Sequence, residues 1–207
     1  MRDFAAELAD TPCWNREAEH NRVHRGAPDV DIALQNRAEL LLLCRWIEAK
    51  RIRSYLEIGV WTGRLLSTLH RLFRFDRVAA CDLGWAEDRG LAISLPPECA
   101  LLRGDSLGPE YQAWRAALGH VDLVLIDGDH RYEAVRRDFE ANRGHPHRFL
   151  AFHDIATTHP GDAGVRRLWE ELPGPHKLEL VRPLPVSRWR MGIGIWSATE
   201  DPRVVSA

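Results

Sequence analysis

The chain has 207 residues, of which 45% are hydrophobic and 28% charged; these proportions belong to a folded globular protein and exclude wholesale disorder. Its 28 basic and 30 acidic side chains leave a formal net charge of −2, so no global field draws it to nucleic acid. No apolar run approaches the roughly 20 residues of a membrane helix, and no membrane partner is expected.

The opening MRDFAAELADTPCW carries acids and lacks an apolar core, so no secretory signal is expected. Residues 1–30 are polar and broken by Pro12, Gly26 and Pro28. They read as an N-terminal arm or lid, with Trp14, His20 and His24 as surface or dimer contacts or as a substrate cover. A homodimer is compatible with such an arm. Residues 31–207 read as one domain. From Asp31, a plausible N-cap, DIALQNRAELLLLCRWIEAK spaces Ile32, Leu34, Leu41, Leu42 and Trp46 as a mostly buried helix.

Short apolar runs follow: SYLEIGV, RVAACDL, CALLRGD, VDLVLIDGD and FLAFHD. Their apolar residues do not alternate with polar ones, so each reads as a strand buried on both faces. Helical patterns lie between them over residues 63–74, 131–142 and 162–172, the last placing Val165, Leu168, Trp169 and Leu172 on one side. This alternation implies right-handed crossovers and a parallel sheet with helices on both faces. KLELVRP and MGIGIW follow with no helix between them, so the sheet should end in an antiparallel hairpin. Cys13, Cys44, Cys81 and Cys99 form no CxxC pair. Buried reduced thiols in a cytoplasmic protein are the expectation. Lysine occurs only at Lys50 and Lys177, an arginine bias expected of a GC-rich bacterial genome.

In such a sheet, ligands bind at the carboxyl ends of the strands, and here those ends carry acids. Glu57-Ile-Gly59-Val-Trp-Thr-Gly63 closes a strand and opens a helix. It is neither GxGxxG nor a phosphate loop. An acid before the first glycine repels a pyrophosphate and suits an ammonium group, while Gly59 and Gly63 would let a ligand approach the backbone. A plain strand–helix turn is the competing reading. Asp82 ends the next strand, 25 residues beyond Glu57, where a carboxylate can accept both hydroxyls of a ribose; Leu83 beside it could pack on an adenine. Asp105 and Ser106 close the third strand, as an adenine contact or a helix cap. Trp61 and Trp85 flank this region and are expected to pack in the core.

Asp127 ends the fourth strand and His153-Asp154 the fifth. Two neighbouring carboxylates repel unless a proton or cation lies between them. Oxygen ligands suit Mg²⁺, and His153 biases the set toward Mn²⁺, Fe²⁺ or Zn²⁺. His130, three residues beyond Asp127, is placed to take a proton from a substrate hydroxyl, or is a solvent-exposed helix start.

EIGVWTG, CDL, GDS, IDGDHRYEAVRRDFE, FHDI, GVRRLWEEL and MGIGIW together resemble the class I S-adenosylmethionine-dependent methyltransferases. The group most similar is the small O-methyltransferases related to macrocin O-methyltransferase and cephalosporin-hydroxylase-type proteins. The resemblance runs from about residue 50 to residue 197. It implies an α/β fold: a Rossmann-like, doubly wound, seven-stranded, mostly parallel sheet with an antiparallel C-terminal hairpin. It also implies S-adenosyl-L-methionine as cofactor, held by Glu57, Gly59, Gly63, Asp82, Leu83, Asp105, Ser106 and Asp127. His130 would be the general base, and Asp127, His153 and Asp154 the site of Mg²⁺ or another divalent metal. His153 departs from the glutamate of metal-binding relatives, and Asn142–Arg148 departs from their Lys-Pro-Gly-Gly turn. The expected activity is O-methylation of a small hydroxylated molecule such as a sugar, a natural product or a phenol. An NAD-type oxidoreductase, a catalytically inactive cofactor-binding module and a metal-dependent hydroxylase are the rivals.

Overall fold

The computed structural model describes residues 2–13, 32–158, 163–184 and 190–203. In chain order these form α1 (Phe4–Glu7), α2 (Arg37–Lys50), β1 (Ser54–Ile58), α3 (Arg64–Phe73), β2 (Arg77–Asp82) and a 3₁₀ turn (Glu87–Arg89). There follow β3 (Ala100–Arg103), α4 (Pro109–Leu118), β4 (Val121–Ile126), α5 (Tyr132–Arg143), β5 (His147–His153), α6 (Ala163–Glu171), β6 (Lys177–Leu180) and β7 (Ile193–Trp196).

The strands make one sheet in the order β3-β2-β1-β4-β5-β7-β6. The first five are parallel. β7 runs antiparallel to both β5 and β6, so the expected terminal hairpin is present. Chain order reverses between β1 and β4, which makes their carboxyl ends the switch point.

Every residue of β1 and β4 is buried because helices cover both faces. Successive side chains point to opposite sides. Tyr55, Val78, Leu123, Leu125, Phe149 and Ala151 pack with residues of α1, α2 and α3. Leu56, Ile58, Ala79, Cys81, Val124, Ile126, Leu150 and Phe152 pack with residues of α4, α5 and α6. Val165, Leu168, Trp169 and Leu172 are buried as their spacing predicts. Four cysteines are free, and only Cys99 is partly exposed.

Four local expectations are corrected. Asp31 lies outside the described residues, and the first long helix starts later. Its cap is Asn36, whose side chain accepts from the Ala38 N–H at 3.0 Å. Residues before it are drawn off by a backbone bond from Ala33 N–H to Pro12 O at 2.9 Å. Its inward side is Leu40, Leu43, Cys44 and Ile47, while Leu41 and Leu42 are only partly buried. β3 is not buried on both faces: as an edge strand it alternates half-buried and exposed residues. Trp85 does not pack in the core but is 62% exposed, with the Arg89 guanidinium 4.0 Å from its ring centre. Helix α4 carried no expectation at all, although Pro109 at its start and Gly119 at its end mark it. Trp14, His20 and His24 lie outside the described residues.

Candidate active site

The acids singled out in the sequence end adjacent strands: Glu57 on β1, Asp82 on β2, Asp127 after β4, and His153 and Asp154 at the end of β5. On β1, Glu57 is buried and accepts from the Tyr55 hydroxyl at 2.7 Å. Burial pushes its carboxyl well above the usual range; the nearby Asp127 and Asp82 push the same way, and the Tyr55 hydroxyl opposes them.

Gly59 and Gly63 have φ of +79° and +80°, a region open to glycine. What a side chain would strike is protein. A Cβ on Gly59 would lie 2.3 Å from Asp127 O, and one on Gly63 would lie 2.6 Å from Ser94 O. Their first duty is thus to let the turn close on β4 and on the chain before β3. Trp61, between them, also has a positive φ of 52°, a strain of roughly 1–2 kcal/mol for a side chain of this kind.

Asp82 is buried, with one oxygen accepting from Val60 N–H at 2.8 Å and the other from Gly84 N–H at 2.6 Å. Each oxygen keeps a second lone pair. Leu83 next to it is 68% exposed, a bare apolar surface at the sheet's edge. Asp105 is exposed and accepts from Leu107 N–H at 2.9 Å, and Ser106 beside it is half-buried.

Asp127, His153, Asp154 and His130 come together. His153 Nδ1 lies 3.2 Å from Asp127 Oδ1 and 3.1 Å from Asp154 Oδ2. His130 Nε2 lies 3.4 Å from Asp127 Oδ1, and its Nδ1 lies 3.7 Å from Asp154 Oδ2. His153 is buried, whereas the His130 side chain keeps 25% of its surface in solvent. Burial opposes charging His153, but the flanking Asp154 and Asp127 outweigh it and raise its pKa well above the ordinary value. Burial likewise opposes ionising Asp127, yet the His153 charge and hydrogen bonds from His130 and His153 bring its pKa to about 2. The Asp127 carboxyl and the His153 ring thus each favour the other's charged form. Asp154 sits at φ of 61°, a conformation that Asp tolerates better than most residues. Asp129 turns away to pair with Arg131.

Two members of this region escaped the sequence reading. Gln35 is buried and donates from Nε2 to Asp127 Oδ2 at 3.3 Å. Asp138 is buried next to Gly128. Its spacing within IDGDHRYEAVRRDFE was the one available signal for it. Burial lifts the Asp138 carboxyl to about 6, with Asp105 and Asp129 adding to the rise and the Ser106 hydrogen bond opposing it. The folded chain thus holds this proton up to about pH 6, while the unfolded chain releases it near 3.8, so stability falls as pH rises through that window. Asp138→Asn stays neutral at every pH and keeps the side chain's size. It is expected to be more stable than wild type at pH 8 by about 3 kcal/mol, with little difference near pH 4. Urea unfolding at both pH values measures this, and a variant less stable at pH 8 contradicts the assignment.

Residues 56–155 match a family model described as a methyltransferase domain. The sequence matches no curated protein. Solved structures share its Rossmann-like fold. The O-methyltransferase from Bacillus cereus in complex with SAH is 15% identical, with 88% of this chain and 91% of that one covered at a TM-score of 0.57. TomG from Streptomyces achromogenes, an O-methyltransferase of tomaymycin synthesis in complex with SAM, is 17% identical, with 88% and 89% covered at 0.56. CalS11, a TDP-rhamnose 3'-O-methyltransferase of calicheamicin biosynthesis, is 15% identical, with 87% of each chain covered at 0.55.

Proposed function

We propose that this methyltransferase domain transfers a methyl group from S-adenosylmethionine to a hydroxyl oxygen of a small molecule, with His130 as the general base. The observation that carries this is the placement of His130. It is hydrogen-bonded to an ionised Asp127, partly open to solvent, and stands on the strand end next to the β1 turn.

The residues present fit the cofactor. Asp82 has two free lone pairs for two ribose hydroxyls, and Leu83 gives an exposed apolar face for a base. Asp105 and Ser106 stand at the end of the neighbouring strand for the adenine edge. The buried carboxyl of Glu57, two residues before Gly59, gains a partner in the ammonium of the methionine part. When bound, the cofactor supplies a methyl on a sulfonium whose departure drives the transfer. The protein's part is to hold the acceptor oxygen in line at roughly 3 Å from the methyl carbon, and to remove its proton. His130 Nε2 or Nδ1 takes that proton, and Asp127 and Asp154 stabilise the imidazolium that forms.

A divalent ion also fits. Asp127, His153 and Asp154 offer donor atoms that lie within 4.8 Å of one another. When bound, the ion would lower the acceptor hydroxyl's pKa. Uptake would cost His153 its proton, so affinity should rise with pH.

A sugar, natural product or phenol is the acceptor class this reading favours, and a reducing cytoplasm suits the four free thiols. An NAD-type oxidoreductase is not favoured, because the β1 turn lacks GxGxxG. Calorimetric titration separates the two: S-adenosylmethionine should bind at one site and NAD⁺ should give no heat. Asp82→Asn keeps an oxygen for only one of the two backbone amides and replaces the other acceptor by a donor, so it should weaken the first titration about tenfold or more, at least one charge-assisted hydrogen bond's worth. NAD⁺ binding, or an unchanged Asp82→Asn titration, would contradict the assignment.

A further inference from the structure

We infer that Gln35 is a fourth protein ligand of the divalent-ion site, offering its amide oxygen opposite Asp127. The inference rests on the ion-binding part of the proposed function and adds a residue to it from a distant part of the chain.

Gln35 precedes α2 and is 1% exposed. Its backbone has little freedom. Ala33 N–H bonds to Pro12 O at 2.9 Å. On the other side Asn36 caps the helix and donates from Nδ2 to Arg182 O at 3.0 Å. Glu39, one turn on, accepts from Arg182 N–H at 2.8 Å and Gly192 N–H at 3.0 Å. The start of α2 is thereby clamped to the chain around β6 and β7, and Gln35 is delivered to the carboxyl end of β4.

Its amide is only half used. Nε2 faces Asp127 Oδ2 at 3.3 Å, while Oε1 is buried with no hydrogen-bond partner among the described residues. A buried amide oxygen without a partner is costly, and a structural glutamine would be better replaced by leucine. Turning the amide by half a rotation exchanges one unpartnered atom for another. The two orientations then differ only in what faces Asp127. With no ion present the NH₂ must face the carboxylate. With a cation between them the oxygen must, since two acceptors so close repel otherwise.

The spacing is that of a coordination shell. For metal–oxygen bonds of about 2.1 Å, adjacent ligands of an octahedron lie about 3.0 Å apart. The Gln35 Nε2–Asp127 Oδ2 separation of 3.3 Å, which the turned amide gives to Oε1, and those of His153 Nδ1 from Asp127 Oδ1 and Asp154 Oδ2 at 3.2 and 3.1 Å, are all close to that edge, with Gln35 and His153 facing the two different oxygens of Asp127. Gln35 adds a neutral, hard oxygen to a set whose one nitrogen donor is His153.

The test is Mn²⁺ binding to the free protein, followed by electron paramagnetic resonance of unbound Mn²⁺, with no cofactor or turnover involved. Gln35→Leu should lose about tenfold or more in affinity. Gln35→Glu, which keeps an oxygen at the same reach and adds charge, should match or exceed wild type. Thermal melting of both variants checks the fold, and the contrast between them holds even if each is somewhat destabilised. If both bind like wild type, Gln35 is not a ligand. If both lose affinity equally, the amide N–H to Asp127 is what matters and the inference fails. If wild type itself takes up no Mn²⁺, the inference falls together with the ion-binding part of the function, while methyl transfer is judged separately by the S-adenosylmethionine titration.

Discussion

His130→Ala should lower the rate of methyl transfer by about 10²–10⁴, the range expected when a positioned general base is removed, while S-adenosylhomocysteine binds as tightly as before. The split follows from geometry. His130 faces Asp127 and Asp154 at the ends of β4 and β5, whereas the residues assigned to the ribose and the methionine part, Asp82 and Glu57, end β2 and β1. The His130 ring is also the one in the cluster with substantial solvent access, which an incoming acceptor needs. Single-turnover rates with labelled methyl donor, set beside calorimetric cofactor affinities, measure both halves. Loss of cofactor binding in this variant would move His130 out of the acceptor side of the site.

Asp127→Asn should lower both activity and stability. Asp127 is the hub of the cluster, within reach of His130, His153 and Gln35. Removing its charge leaves His130 without its orienting carboxylate, and a rate loss of about 10³ is expected, comparable to losing the base itself. The stability effect has a definite sign. The folded pKa of Asp127, about 2, lies below its unfolded value of 3.8, so ionised Asp127 stabilises the fold above about pH 4 and ceases to do so as pH falls through 2. At pH 7 the variant should be less stable by about 2 kcal/mol, and the gap should close near pH 2. The raised pKa of His153 gives the opposite arm: its contribution is complete below pH 6.5 and fades as pH climbs through its elevated folded value. Denaturant midpoints across pH measure these slopes. A variant equal to wild type at pH 7 would show that Asp127 and His153 do not favour each other's charged forms.

Much of this site could be read from the sequence because the signal is local. A strand buried on both faces is a short apolar run, and the polar residue that ends it marks the sheet's carboxyl edge. Glu57, Asp82, Asp127 and Asp154 were located that way, and sheet order then brought the last two together through β4 and β5. Gln35 could not be found so. Its partner lies 92 residues away, and its own segment carries no period that distinguishes a loop from the first turn of a helix. Gly59 and Gly63 do form the turn between β1 and α3, but the space they leave is filled by Asp127 and Ser94 backbone.

Other misses have their own causes. Helix α4 buries only Tyr111 and Arg115, too thin a stripe to register as amphipathic. Its Arg115 is fully buried through bonds to Gly119 O, Pro146 O and Asn142 Oδ1, which polarity alone would place outside. The apolar run of β3 suggested a central strand, yet its place at the sheet's end leaves half of it in water. Trp85 looked like core because tryptophan usually is, whereas here it lies open beside Arg89.

The central claim is that a sulfonium nucleoside lies across the carboxyl ends of β1, β2 and β4. A crystal structure of the protein with S-adenosylhomocysteine tests it most directly. The ribose hydroxyls should sit within hydrogen-bond distance of Asp82, with the sulfur toward His130. A nucleoside bound elsewhere, or a ribose that leaves Asp82 bonded only to Val60 and Gly84, would contradict it.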